Sequence, residues 1–161
     1  MIRFIKILMA ASVALFCLFY ALQNIWNLEA ATWFVSYTTG MEGHEKYPGH
    51  FGPAVTSSAM HSIMLWIIIA LEITAGLLAA KGTLDLFKAR NGSADEFNAA
   101  KTYAIAGCGV GILVWFGLFS SIAGAYFQIW QTEAGGGALG NASFFSVQLG
   151  VIWLLISQKD T

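Results

Sequence analysis

Four long apolar runs alternate with polar segments along the 161-residue chain, at about residues 4–22, 60–80, 102–127 and 142–157. A helix that crosses the hydrocarbon core of a bilayer needs about 20 predominantly apolar residues, and the first three runs have this length. The fourth run, "FFSVQLGVIWLLIS", is shorter, so we expect its helix to begin before Phe144. The pattern predicts an all-α membrane protein, a single domain of four transmembrane helices in an antiparallel bundle.

The first run raises the alternative of a cleaved signal peptide, because Arg3 and Lys6 give it a basic start. No small-x-small cleavage site follows the run. We therefore expect the first run to be a transmembrane helix.

The positive charges predict the orientation of the bundle. With four crossings, seven of the eight lysine and arginine residues fall on one side, and only Lys46 falls on the other. Cytoplasmic loops carry an excess of these residues, so the N and C termini are expected in the cytoplasm. The seven residues are Arg3, Lys6, Lys81, Lys88, Arg90, Lys101 and Lys159.

The segment between the second and third runs has helical signals of its own. Lys81, Asp85 and Lys88 have the spacing of helical ion pairs, and Ser93-x-x-Glu96 matches a capping box. We expect both helices to continue beyond the bilayer as a hairpin that projects from the inner surface. The hairpin is either a solvated elbow or a docking arm for a neighbouring subunit.

The outer loop, residues 23–58, begins with apolar residues at helical spacing, which predicts a short helix along the membrane interface. The following stretch, "TTGMEGHEKYPGHFGP", is rich in glycine and is expected to be loop. Aromatic residues of amphipathic character favour the membrane interface, and five of them are predicted to form an outer belt. They are Trp26, Trp33, Trp66, Tyr126 and Trp130.

The three histidines are candidates for a metal or haem site. His44, His50 and His61 accompany several methionines, a set that would suit copper, and His61 stands near a helix end where a haem ligand could lie. Their spacing matches no site pattern, and there is no CxxCH motif for covalent haem attachment. We expect surface or capping histidines, no metal or other cofactor, and bound lipid.

Composition agrees with a membrane protein. Hydrophobic residues make up 57% of the chain and charged residues 11%, against about 25% charged in a typical soluble domain. The net charge of −1 and the absence of a basic cluster in the sequence argue against a nucleic-acid partner.

One carboxylate interrupts the second apolar run, at Glu72 in "MLWIIIALEITAGLLAAKG". Its position nine residues before Lys81 predicts a depth of about 13 Å from the inner boundary. A charge near the bilayer centre costs at least about 2.5–3.5 kcal/mol, so a hydrogen-bonded Glu72 is expected. Counting the same depth along the other helices predicts Gln148 as its partner, with Ser12 or a group of a partner chain as substitutes. The alternatives are a structural hydrogen bond or a role in handling protons or a ligand.

Small residues predict which helices pack closely. Gly107-x-x-x-Gly111 in the third run lets another backbone approach, and the second run offers Ala75, Gly76 and Ala79 in matching positions. We expect the second and third helices to pack tightly.

Several stretches together resemble a bacterial family of predicted small integral membrane proteins, domain of unknown function 2165. They are "ALE" at Ala70–Glu72, "FNAAK" at Phe97–Lys101, "WF" at Trp115–Phe116 and "GAYFQIWQT" at Gly124–Thr132. The stretch "EAGGGALGNAS" departs from the family pattern. The resemblance implies a four-helix protein of the bacterial inner membrane and supplies no activity.

Three functions from different classes remain open. The first is a non-catalytic accessory subunit of a larger energy-transducing membrane complex, respiratory or photosynthetic, which fits the small size and the lack of a catalytic motif. Its partners would be lipid and other integral membrane subunits. The second is a dimeric proton-coupled transporter that uses Glu72. The third is a redox subunit associated with a quinone or haem, lined by Trp115, Tyr126, Trp130 and His61.

Overall fold

The computed structural model describes residues 1–47 and 49–161, and these residues form helices, turns and loops without a strand. Among these residues, four helices are long and apolar enough to cross a membrane, which confirms the predicted fold class. They are Ile2–Trp26, Ser58–Ala89, Ala94–Tyr126 and Glu133–Ser157.

The first half of the chain contains three helices. Helix α1 is Ile2–Trp26, α2 is Leu28–Thr39 and α3 is Ser58–Ala89. Helix α2 is the helix predicted in the outer loop. Its buried residues are Val35, Thr38 and Thr39, whereas the tryptophans that suggested it, Trp26 and Trp33, are exposed.

The third candidate span is built from three consecutive elements, which are α4 at Ala94–Ala99, α5 at Thr102–Ile112 and a π-helix, π1, at Leu113–Tyr126. A short 3₁₀ turn, Ile129–Gln131, leads into α6 at Glu133–Ser157. Helix α6 starts nine residues before the predicted boundary at 142 because Thr132 caps it, accepting a hydrogen bond of 3.0 Å from the Gly135 amide. The stretch "EAGGGALGNAS" is therefore helical.

Small residues set the packing of α3 against its two neighbours. A Cβ atom on Gly107 would come within 2.6 Å of the Ala79 nitrogen and 2.8 Å of the Ala75 oxygen, so α5 packs on α3 as predicted. Gly76 instead faces α1, because a Cβ there would lie 2.6 Å from Leu18 Cγ. Gly111 faces α6, where its Cβ would lie 3.0 Å from Leu149 Cδ1. The expectation that Gly76 and Gly111 join α3 to α5 is therefore wrong.

Both chain termini lie at the same end of the bundle, in a buried ionic cluster. The Asp160 carboxylate accepts hydrogen bonds from Lys6 at 2.7 Å and Lys101 at 2.5 Å. Both ammonium groups also donate to the Gln158 carbonyl oxygen, at 2.7 and 2.6 Å. Burial alone would raise the pKa of Asp160, but the two lysines outweigh it and hold the pKa below its ordinary value.

The hairpin between α3 and α4 does not extend past α1. Arg3 donates to the carbonyl oxygens of Arg90 at 3.2 Å and Gly92 at 2.7 Å, so the tip of the hairpin is level with the start of the chain. The predicted capping box is present, with the Ser93 hydroxyl accepting from the Glu96 amide at 3.2 Å. The tip of the hairpin is thus packed against the N-terminus, and α3 is continuous through Lys81 to Lys88 as predicted. That the hairpin projects from the inner membrane surface stays a prediction.

Candidate functional site

Glu72 lies near the middle of α3, 14 residues after Ser58 and 17 residues before Ala89. These separations correspond to about 21 and 26 Å along the helix axis. The side chain is buried, at 2% exposure, and its Oε2 accepts a hydrogen bond of 2.9 Å from the Asn24 Nδ2. Burial and hydrogen bonding were predicted for Glu72, but Asn24 was not identified.

The predicted partners are placed elsewhere. Gln148 is exposed on α6, and Ser12 is exposed on α1 with its hydroxyl bonded to the Leu8 carbonyl at 2.9 Å. The error came from the depth count, which took both Lys81 and the Arg3–Lys6 segment as marks of the inner boundary. In the structure Arg3 is level with Arg90, nine residues after Lys81, so α1 and α3 are offset by about nine residues from the predicted alignment. This displacement brings Asn24 to Glu72.

A cavity of about 380 Å³ lies between α2, α3 and π1 and is bordered by Asn24. We refer to it as the α2–α3–π1 cavity. Its 15 lining residues are apolar except Asn24, Thr38 and Thr39. The Thr39 hydroxyl donates to the Val35 carbonyl at 2.9 Å, whereas the buried Thr38 hydroxyl has no hydrogen-bond partner among the described residues.

One wall of the cavity is the π-helix. In a π-helix the hydrogen bonds join residues five apart, and here the Phe127 amide donates to Ile122 at 2.9 Å. Two serine hydroxyls also donate hydrogen bonds to carbonyl oxygens five residues earlier, Ser120 to Trp115 and Ser121 to Phe116. Most π-helices are single turns, often at functional sites, so a run of 14 residues beside a cavity is unusual. No feature of the sequence had indicated it.

The aromatic residues proposed for a redox site do not surround one space. Trp115 is buried against Phe16, with ring centroids 4.7 Å apart. Tyr126 packs edge-on against Phe51 at 5.1 Å, and Trp130 against Tyr47 at 5.2 Å. These three residues and His61 are absent from the lining of the α2–α3–π1 cavity.

Of the three histidines, His61 contacts the backbone of the outer loop. The Nε2 atom of His61 lies 2.9 Å from the Val55 carbonyl, and the side chain is buried. Burial, and then the nearby His50, lower the pKa of His44. Within residues 1–47 and 49–161, no group of three or more His, Cys, Asp and Glu side chains is arranged to hold a metal ion.

The stretch "GAYFQIWQT" leads from π1 into α6 and contacts the outer loop, residues 23–58. Gln131, 9% exposed, accepts a hydrogen bond of 2.7 Å from the Tyr47 amide through Oε1 and donates to Gln128 Oε1 at 2.7 Å through Nε2. Gln128 itself has a φ of 54°, in the left-handed region. The polar residues of this stretch therefore hold the outer loop against the start of α6.

Helix α6 has a face with two exposed carboxamide side chains. Asn141 and Gln148 are seven residues apart, so they lie on the same side of the helix. Neither carboxamide makes a hydrogen bond within the described part of the chain. Exposed apolar residues share this α6 face, namely Phe144, Val147 and Val151.

Helix α6 is the least buried of the four candidate spans among the described residues. Only 17% of its apolar stretch is buried against other parts of the chain, compared with 39% for α1. The sequence had offered Gln148 as an internal partner for Glu72 and had given no reason to select Asn141.

The chain belongs to the family described as predicted small integral membrane proteins, domain of unknown function 2165, which matches residues 2–159. No curated protein matches the chain, and no solved structure matches it. The family match confirms an integral membrane protein and supplies no activity.

Proposed function

We propose that this integral membrane protein is a non-catalytic accessory subunit of a larger energy-transducing membrane complex and binds its partner through the α6 face. The observation that carries the proposal is the pair of exposed carboxamides, Asn141 and Gln148, on a face of α6 that they share with exposed apolar residues. The proposed location is the bacterial inner membrane with both termini in the cytoplasm, supported by the lysine and arginine residues gathered at the terminal end of the bundle.

A carboxamide side chain in hydrocarbon lacks the hydrogen-bond partners that water would supply. An amide carries two donors and one acceptor that lipid tails cannot satisfy. Hydrogen bonds between membrane helices contribute roughly 0.6–2 kcal/mol each. A neighbouring helix that supplies polar groups opposite Asn141 and Gln148 would satisfy both amides and cover the apolar residues between them.

The spacing of the two amides suits a helix as the binding partner. Seven residues correspond to two turns, or about 10.5 Å, so both amides face a helix that packs alongside α6 at a small crossing angle. Gly137 and Gly140, where an added Cβ would meet nothing within 4 Å, leave room for close approach next to Asn141.

A transporter role for Glu72 has less support. Its single hydrogen bond comes from the neutral amide of Asn24, and no ionisable side chain forms a salt bridge with it among the described residues. A redox role has less support as well, because Trp115, Tyr126, Trp130 and His61 do not line a common cavity.

The test is purification of the tagged chain from the source organism in a mild detergent, followed by mass spectrometry of the co-purifying proteins. We expect wild type to bring down a larger membrane complex at fixed stoichiometry. The variant that combines Asn141→Leu with Gln148→Leu should lose most of that complex while it retains the elution volume of a folded chain.

Ser143→Leu is the matched control. Ser143 is exposed on the same helix but points to another side, and its hydroxyl is already bonded to the Leu139 carbonyl at 2.9 Å. This control should co-purify with the complex as wild type does. A wild-type protein that elutes alone or only with copies of itself would contradict the proposal, as would a double variant that retains the complex.

A further inference from the structure

We propose that the α2–α3–π1 cavity binds one uncharged long-chain lipid whose hydroxyl or ester oxygen hydrogen-bonds the Thr38 hydroxyl. This site lies on different helices from the α6 face, so the inference does not depend on the accessory-subunit role.

The size and chemistry of the cavity fit a lipophilic ligand. Its volume of about 380 Å³ lies within the range of about 300–1,000 Å³ that is typical of small-molecule pockets. Twelve of the 15 lining residues are apolar, and no lysine, arginine or histidine is among them. The cavity therefore offers hydrocarbon contacts over most of its surface and no cation for an acidic head group.

Thr38 supplies the point of polar recognition. A threonine within a helix usually bonds its hydroxyl to the carbonyl four residues earlier, as Thr39 does with Val35. Thr38 makes no such bond, although it is only 5% exposed. Buried hydroxyl groups are normally hydrogen-bonded, so an oxygen supplied by a ligand accounts for the unpaired group.

The orientation of the ligand follows from the other polar groups. Asn24, which precedes α2, already donates to Glu72, whereas Thr38 is near the end of α2 that leads into the outer loop. That end is joined to the loop by the hydrogen bond from the Val55 amide to the Thr39 carbonyl, at 2.8 Å. The lipid head group therefore lies next to the loop, and its chain extends along α2 between α3 and π1.

The uncharged head group also follows from the lining of the cavity. A fatty acid carboxylate hydrogen-bonded to Thr38 would be a desolvated charge with no lysine, arginine or histidine among the lining residues to neutralise it. An alcohol or ester has no such penalty, and it pairs with the single hydroxyl of Thr38.

The experiment is photolabelling of the purified full-length protein with monooleoylglycerol that carries a diazirine in its acyl chain. A long-chain hydrocarbon with the same diazirine serves as the probe without a head group. Thr38→Val keeps the shape of the side chain and removes its hydroxyl. We expect it to lower labelling by the monoacylglycerol about fivefold, the loss of one hydrogen bond, and to leave labelling by the hydrocarbon unchanged.

A pair of variants on π1 tests the location. Ala123 lines the cavity, so Ala123→Phe should fill it and lower labelling by both probes, whereas Ala125→Phe, on the exposed side of π1, should alter neither. Each variant is compared only if it elutes as wild type does in gel filtration. Equal monoacylglycerol labelling of wild type and Thr38→Val would overturn the proposal, as would equal labelling of wild type by the two probes.

Discussion

The Asn24 amide donates a hydrogen bond of 2.9 Å to the Glu72 carboxyl group, and this bond joins the end of α1 to the middle of α3. The two residues are 48 positions apart in the sequence and come from adjacent antiparallel helices. Because Glu72 is 2% exposed, the bond supplies a polar partner at a depth where water and lipid offer none.

Replacing Asn24 alone should therefore lower the stability of the protein more than replacing Asn24 and Glu72 together. Asn24→Leu leaves a buried carboxyl group unpaired and should lower stability by about 1–3 kcal/mol, whereas Asn24→Leu combined with Glu72→Leu should recover much of that loss. Glu72→Gln keeps an acceptor for Asn24 and should remain close to wild type. Thermal unfolding of wild type, Asn24→Leu, Glu72→Leu and the double leucine variant in one detergent gives the coupling energy, and additive effects of the two leucine substitutions would contradict the pairing.

Neither the offset between α1 and α3 nor the π-helix π1 was predicted, and the physical reason is the same for both. The apolar runs predicted the number of helices, since hydropathy reports burial in lipid directly. The offset between two packed helices depends on how their side chains fit together, here Gly76 against Leu18. Hydropathy contains no information about this fit. The same holds for π1, because its residues, "LVWFGLFSSIAGAY", have the composition of any apolar helix. Asn24 was overlooked because the predicted first span ended at residue 22.

Gly82 should be intolerant of alanine although it lies inside a helix. Alanine is favoured over glycine in a helix by about 1 kcal/mol, yet a Cβ on Gly82 would lie 2.2 Å from the Ala104 nitrogen, a backbone atom of α5. We expect Gly82→Ala to lower stability by about 1–3 kcal/mol because α3 and α5 must separate.

Gly109 provides the comparison within α5. A Cβ there meets nothing within 4 Å, so Gly109→Ala should retain or raise the unfolding temperature. Both variants add one methyl group inside a helix, but only the methyl group at Gly82 meets the backbone of a neighbouring helix. Equal stability of Gly82→Ala and Gly109→Ala would contradict the close approach of α3 and α5 at Gly82.

The ionic cluster at the terminal end should make stability depend on pH. The pKa of Asp160 in the folded protein is lowered below its ordinary value of 3.8, so the ionised carboxylate favours folding above that value. This contribution is lost as the pH falls below about 4 toward the lowered pKa. Asp160→Asn leaves Lys6 and Lys101 without their counter-ion and should cost roughly 3 kcal/mol at pH 7.

Unfolding temperatures of wild type and Asp160→Asn between pH 7 and pH 3 measure this contribution. The difference between the two proteins should be largest at neutral pH and should shrink below about pH 4, where the wild-type carboxylate becomes protonated. Asp95→Asn is the control, since Asp95 is exposed on α4 and takes part in no salt bridge among the described residues. A difference that stays constant with pH would show that the Asp160 charge does not stabilise the fold.

The orientation of the bundle can be tested by cysteine labelling in intact cells. Lys6, Lys101 and the hairpin that contacts Arg3 share one end of the bundle, so a cysteine at position 88 should be protected from a membrane-impermeant maleimide. A cysteine at position 46, in the opposite loop, should be labelled. The native thiols of Cys17 and Cys108 are buried and should give little background. Labelling of Lys88→Cys from outside, with Lys46→Cys protected until the cells are opened, would reverse the proposed orientation while leaving the antiparallel bundle intact, because both termini would still share the end that holds Asp160.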